Sequence, residues 1–107
     1  MIRHCVFIRF KDSVTAEQRN ALFGEISALQ SHLTGILAVH LGHNVSPETG
    51  MDKGYSDGFM VDFTGVEARN AYLADKAHQR AGAGLVEAAE GGVAGILVYD
   101  LEMDAAR

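Results

Sequence analysis

Hydrophobic periodicity along this chain switches between about 2 and about 3.6 residues in a fixed order, and that order leaves few architectures open. Residues 2–10 alternate, so Ile2, His4, Val6, Ile8 and Phe10 share one strand face while Arg3 and Arg9 fall on the other. Thr15-Ala16-Glu17-Gln18 then reads as a capping box. It opens a helix whose apolar stripe is Leu22, Phe23, Ile26, Leu29 and Leu33, and Gly35 is the expected stop. Alternation returns from Ile36 to about Asn44, with Leu37, Val39 and Leu41 on one face and Ile36, Ala38, His40 and Gly42 on the other. The only proline, two glycines and several polar residues make Val45 to Tyr55 a connecting loop. In a third strand Asp57, Phe59, Val61 and Phe63 alternate with Gly58, Met60 and Asp62. Helical spacing runs from Val66 to Ala89, with a break expected at Asp75-Lys76 and an end at Gly91-Gly92. A last strand, Val93 to Met103, sets Ile96, Val98 and Asp100 against Gly95, Leu97, Tyr99 and Leu101.

Strand, helix, strand, strand, helix, strand is the split βαβ order of a ferredoxin-like α+β sandwich. A chain of 107 residues with 48% hydrophobic residues predicts a single domain over 1–107 with a substantial core. Two helices cover one face of such a sheet. The other face would display Cys5, Phe7, Ile36, Ala38, Met60, Leu97, Tyr99 and Leu101, too much apolar surface to leave in water. No further apolar element exists to cover it, so a homodimer with two sheets face to face is expected.

Composition narrows the partners. Fourteen acidic residues against nine basic ones, a net charge of −5, repel a phosphate backbone, so nucleic acid is not an expected partner. The third strand also lacks the aromatic and basic residues of an RNA-recognition sheet. No apolar run reaches the roughly 18 residues a membrane span needs, no leader pattern opens the chain, and no basic amphipathic helix suggests a membrane surface. With the single cysteine, Cys5, these features predict a soluble cytoplasmic protein. His40 and His43 point to opposite strand faces, so a shared metal is not expected.

Chemistry concentrates on four residues. His4 is a ring in an apolar strand face, where an unsatisfied polar group costs about 1–3 kcal/mol. Tyr72 and His78 lie either side of the expected helix break. Ala68, Ala71 and Tyr72 form one inward face there, and His78, Ala81, Leu85 and Ala89 form another. Asp100 shares the inward face of the last strand. Whether His4 and Asp100 meet depends on strand order, which periodicity does not give.

Four segments in sequence order resemble the stress-responsive A/B barrel (Dabb) domain family: Arg3-His4-Cys5-Val6-Phe7, Gly42-His43-Asn44-Val45-Ser46, Gly54-Tyr55-Ser56, and Tyr72-Leu73-Ala74-Asp75-Lys76-Ala77-His78. The resemblance covers essentially the whole chain and implies a dimeric α+β barrel. It also implies a relation to a plant polyketide cyclase of that family, which closes a linear polyketide by cofactor-free aldol condensation. By motif, the cyclase's catalytic pair falls on His78 and Tyr72, its first-strand histidine on His4 and its last-strand aspartate on Asp100. Two departures stand out: the family's His-Pro-x-His appears as Asp75-Lys76-Ala77-His78, and a third-strand histidine of the cyclase is Asp57 here.

The expectation is therefore a protein that binds a small carbonyl compound, with cofactor-independent lyase or cyclase chemistry if it is an enzyme. His78 would be the base, oriented by Asp100, and Tyr72 the acid or oxyanion donor. His4, Asp100, Phe23 and Phe59 would contact substrate, and no cofactor or metal is expected. The alternatives are a non-catalytic domain in which these groups form a structural polar core, and a cofactor-free monooxygenase of the dimeric barrel type.

Overall fold

A computed structural model describes residues 1–103. Four strands, β1 (Ile2–Ile8), β2 (Ile36–His43), β3 (Asp57–Phe63) and β4 (Ile96–Glu102), form one antiparallel sheet in the order β2-β3-β1-β4. Three helices, α1 (Ala16–Ala28), α2 (Val66–Ala74) and α3 (Lys76–Ala88), complete the ferredoxin-like α+β fold.

Local chemistry explains most boundaries. Thr15 caps α1 through the full reciprocal box, its hydroxyl accepting from the Gln18 N–H while the Gln18 side chain accepts from the Thr15 N–H. The predicted break is real: Asp75 is extended, ends α2, and caps α3 by accepting the His78 backbone N–H at 3.0 Å. Gly91 and Gly92 take positive φ values of 75° and 65°, which turn the chain back toward the sheet.

The core lies between the sheet and the helices. Ile2, Val6 and Ile8 of β1 meet Phe59, Val61 and Phe63 of β3 on that face, with Phe23, Ile26 and Leu29 from α1 and its 3-10 extension, and with Tyr72, Ala81 and Leu85. Burying each large apolar side chain of this kind stabilises the fold by roughly 1.5–3 kcal/mol.

Four sequence expectations are corrected. β1 ends at Ile8; Phe10 instead bridges Ala89, and Arg9 exchanges backbone bonds with Gly95 and Glu90. A bulge at Leu37 shifts the β2 register, so Ile36 lies opposite Phe63 and packs on the core rather than on the open face. β4 begins at Ile96, because 92–95 form a 3-10 turn. Ala71 is exposed, leaving Ala68 and Tyr72 as the inward residues of α2.

The face away from the helices remains open. Leu97, Tyr99 and Leu101 are 43%, 56% and 39% exposed, beside half-buried Phe7 and Met60. Two polar devices lie on the same face. Arg3 donates to both oxygens of Asp62 at 2.8 and 3.0 Å, and His40 Nε2 lies 3.2 Å from Asp62 Oδ2. The hydrogen bond from Arg3 is the main reason the Asp62 carboxyl stays below its ordinary value.

Candidate functional site

Strand order settles what periodicity left open. β1 and β4 are neighbours, and in their antiparallel register His4 lies directly opposite Asp100. Residues so paired share a sheet face. His4 Nδ1 and Asp100 Oδ1 are 2.6 Å apart, and since a carboxylate only accepts, the ring donates from Nδ1. His4 is buried at 3% exposure; this bond satisfies one of its two ring nitrogens.

The second Asp100 oxygen is taken by a residue that sequence reasoning missed. Arg69 of α2 donates from a terminal nitrogen to Asp100 Oδ2 at 2.6 Å. Burial pushes the Asp100 carboxyl up, but the hydrogen bonds from His4 and Arg69 outweigh it and hold the group below its usual range. A signal was available: Arg69 precedes Tyr72 by one helical turn, which puts the two on neighbouring positions of α2.

Tyr72 and His78 come together despite a six-residue separation, because the extended Asp75 re-aims the second helix. Their ring centroids are 4.1 Å apart. Tyr72 meets His4 edge-on at 5.7 Å and Phe63 at 5.0 Å. Neither the Tyr72 hydroxyl nor His78 Nδ1, both buried atoms, has a hydrogen-bond partner within the protein. The role expected of Asp100 is corrected here: it engages His4 and Arg69, and does not orient His78.

These environments sort the groups chemically. Burial raises the Tyr72 phenol well above its ordinary value, so it stays a donor at neutral pH. Burial, then proximity to His4, lowers the His78 imidazole, against the opposing pull of the Leu73 carbonyl and the Asp75 carboxylate. A neutral imidazole beside a protonated phenol is a base next to a hydrogen-bond donor. His78 is itself only half-buried, so one side of the pair is reachable from solvent.

Phe23 and Phe59 are not part of this cluster. Both are buried and pack against each other at 5.8 Å, and Phe10 also packs on Phe23 at 5.8 Å. They border two surface cavities at the β2–β3 end of the sheet. One, about 520 Å³, is lined by Phe59 with Phe7, Tyr55, Met60 and Leu97; the other, about 890 Å³, by Phe23 with Arg19 and Leu41. Neither cavity is lined by His4, Tyr72 or His78.

The family description "stress responsive A/B barrel domain" matches residues 2–103. No curated protein matches the chain. Among solved structures, a dimeric ferredoxin-like protein of unknown function from Jannaschia sp. CCS1 is 30% identical, with a TM-score of 0.88 over 95% of this chain and 98% of that one. The protein At3g17210 from Arabidopsis thaliana is 25% identical, with a TM-score of 0.88 over 100% and 99% of the two chains. A hydroxynitrile lyase from Passiflora edulis, 17% identical, has the same fold at a TM-score of 0.84 over 99% and 95%.

Proposed function

This chain belongs to the stress responsive A/B barrel domain family, and we propose that its His4–Tyr72–His78 cluster binds a small, partly apolar carbonyl compound and promotes cofactor-independent lyase or cyclase chemistry on it. The observation that carries the reading is the pair of orphaned polar atoms, Tyr72 Oη and His78 Nδ1, on rings 4.1 Å apart. Each such group loses about 1–3 kcal/mol if left unsatisfied in a fold. A carbonyl oxygen and an acidic C–H would satisfy both. That a hydroxynitrile lyase shares the fold supports only the capacity of this architecture to house such chemistry.

In this reading His78 Nδ1 takes a proton from the carbon next to the ligand carbonyl, while the Tyr72 O–H donates to the oxygen as it becomes an enolate. The enolate carbon attacks a second carbonyl, and the proton returns from His78 to the alkoxide formed. In the lyase direction His78 instead takes the proton of the hydroxyl on the carbon of the scissile bond, the carbon–carbon bond breaks as that carbon becomes a carbonyl, and the proton passes from His78 to the departing carbanion. General acid–base assistance of this kind is worth roughly 10²–10⁴-fold. His4, held by Asp100, binds the polar end of the ligand, while Phe23 and Phe59, packed on each other away from the cluster, stay outside this reading.

We assign the open sheet face to a second copy of the chain. Exposed Leu97, Tyr99 and Leu101 form its apolar centre, and the related Jannaschia protein is described as dimeric. The unpaired Cys5 and the net charge of −5 fit a cytoplasmic protein without a nucleic-acid partner. Among the described residues, no helix is long and apolar enough to cross a membrane.

A competing reading has one observation in its favour: His4, Asp100 and Arg69 are paired as a purely structural polar core would be. Titrating the protein with a panel of diketides, triketides and cyanohydrins, followed by ring-proton shifts and by product formation, separates the two. Binding that is lost in His78→Gln and Tyr72→Phe supports the functional reading. Binding unchanged in both variants, with only their melting temperatures altered, establishes the structural one.

A further inference from the structure

A three-residue hydrogen-bonded chain joins α2 to β4 and β1. Arg69 donates to Asp100 Oδ2 at 2.6 Å, and Asp100 Oδ1 accepts from His4 Nδ1 at 2.6 Å. Asp100 stands on the outermost strand, on the same sheet face as His4, and its side chain is still 25% exposed, so its carboxylate has water within reach as well as the buried ring. A lone carboxylate there gains more from water than from turning toward a buried ring. Arg69, its side chain 23% exposed, supplies the second anchor that stops this rotation.

We propose that Arg69 is a positioning residue: by holding one oxygen of Asp100, it reserves the other for the Nδ1–H of His4, and so fixes the His4 tautomer that offers Nε2 to a ligand. In the neutral ring with its proton on Nδ1, Nε2 is the sole acceptor. His4 packs edge-on against Tyr72 at 5.7 Å, and Tyr72 packs in turn on His78. An acceptor at His4 thus complements the Tyr72 donor within one cluster. The tautomer part of the inference stands on the hydrogen-bond chain alone; its bearing on a ligand rests on the function proposed above.

The test is long-range ¹H–¹⁵N spectroscopy of the histidine rings in the full chain, with no ligand added. The wild-type His4 ring is expected to show its proton on Nδ1. Arg69→Gln is expected to give a mixture of both tautomers, and Arg69→Lys to restore the wild-type pattern in part. Asp100→Asn provides an independent arm should Arg69→Gln fail to fold. With the amide oxygen drawn to Arg69, its NH₂ faces the ring, and the His4 proton moves to Nε2. A wild-type His4 pattern in Arg69→Gln, accompanied only by a lower melting temperature, makes Arg69 a mechanical strap and overturns the proposal, as does an Nδ1 proton retained in Asp100→Asn. For any carbonyl compound that the wild type binds, Arg69→Gln is expected to weaken affinity by up to about 10²-fold. A panel in which no compound binds counts against the functional reading, while the ring spectra still decide the role of Arg69.

Discussion

Tyr72 and His78 hold their ring centroids 4.1 Å apart, yet neither the Tyr72 hydroxyl nor His78 Nδ1 has a partner within the protein. Stability and function should therefore respond in opposite senses when either group is removed.

Tyr72→Phe deletes a buried hydroxyl whose desolvation is not repaid by a hydrogen bond. Unsatisfied groups of this kind cost about 1–3 kcal/mol, so the variant should match or exceed the wild type in urea denaturation while losing affinity for the carbonyl ligand. A fall in stability of more than about 1 kcal/mol would instead mean that the hydroxyl is well bonded.

His78 should tie stability to pH. Its folded-state value lies below the ordinary 6.5 because burial disfavours the imidazolium. Between the two values the unfolded chain binds more protons than the folded one, so stability rises with pH there and falls on acidification through about 6.5. His78→Gln should flatten the slope in urea titrations from about pH 5 to 8; an unaltered slope would locate the dependence in another group.

Asp75 both caps α3 and sets its direction. Asp75→Ala removes the acceptor for the His78 backbone N–H and the 2.9 Å contact with His32. It should lower the melting temperature and disturb the His78 ring environment. Asp75→Asn keeps a competent cap and should retain most of the stability. Equal losses in both variants would point to the charge rather than the cap.

The open face offers a direct test of assembly. Tyr99→Lys combined with Leu101→Glu places charges where a second sheet would pack. The wild type should elute at twice the chain mass in light-scattering chromatography and the double variant at the chain mass, with little change in its secondary structure by circular dichroism. A wild type that is monomeric at all concentrations would remove the dimer.

Local signals were legible wherever neighbours in sequence decide the structure. Strand alternation identified the inward faces of β1, β3 and β4, Thr15 and Gln18 announced the start of α1, and the Asp75 break separated α2 from α3. Where long-range register decides, sequence reading fell short. The bulge at Leu37 turned Ile36 to the core because β2 must match β3, a constraint that no local pattern in 36–44 contains.

The same division runs through the candidate site. Sequence alone determined that His4, Tyr72, His78 and Asp100 are polar groups on inward-facing positions, since side-chain direction follows from period 2 or period 3.6. Only the tertiary structure decided their partners: the β2-β3-β1-β4 order put Asp100 beside His4, and the docking of α2 brought Arg69 to its second oxygen. Hydrogen bonds form over about 3 Å, and residues 31 and 96 positions apart approach that closely only when the whole sheet and its helices have closed around them.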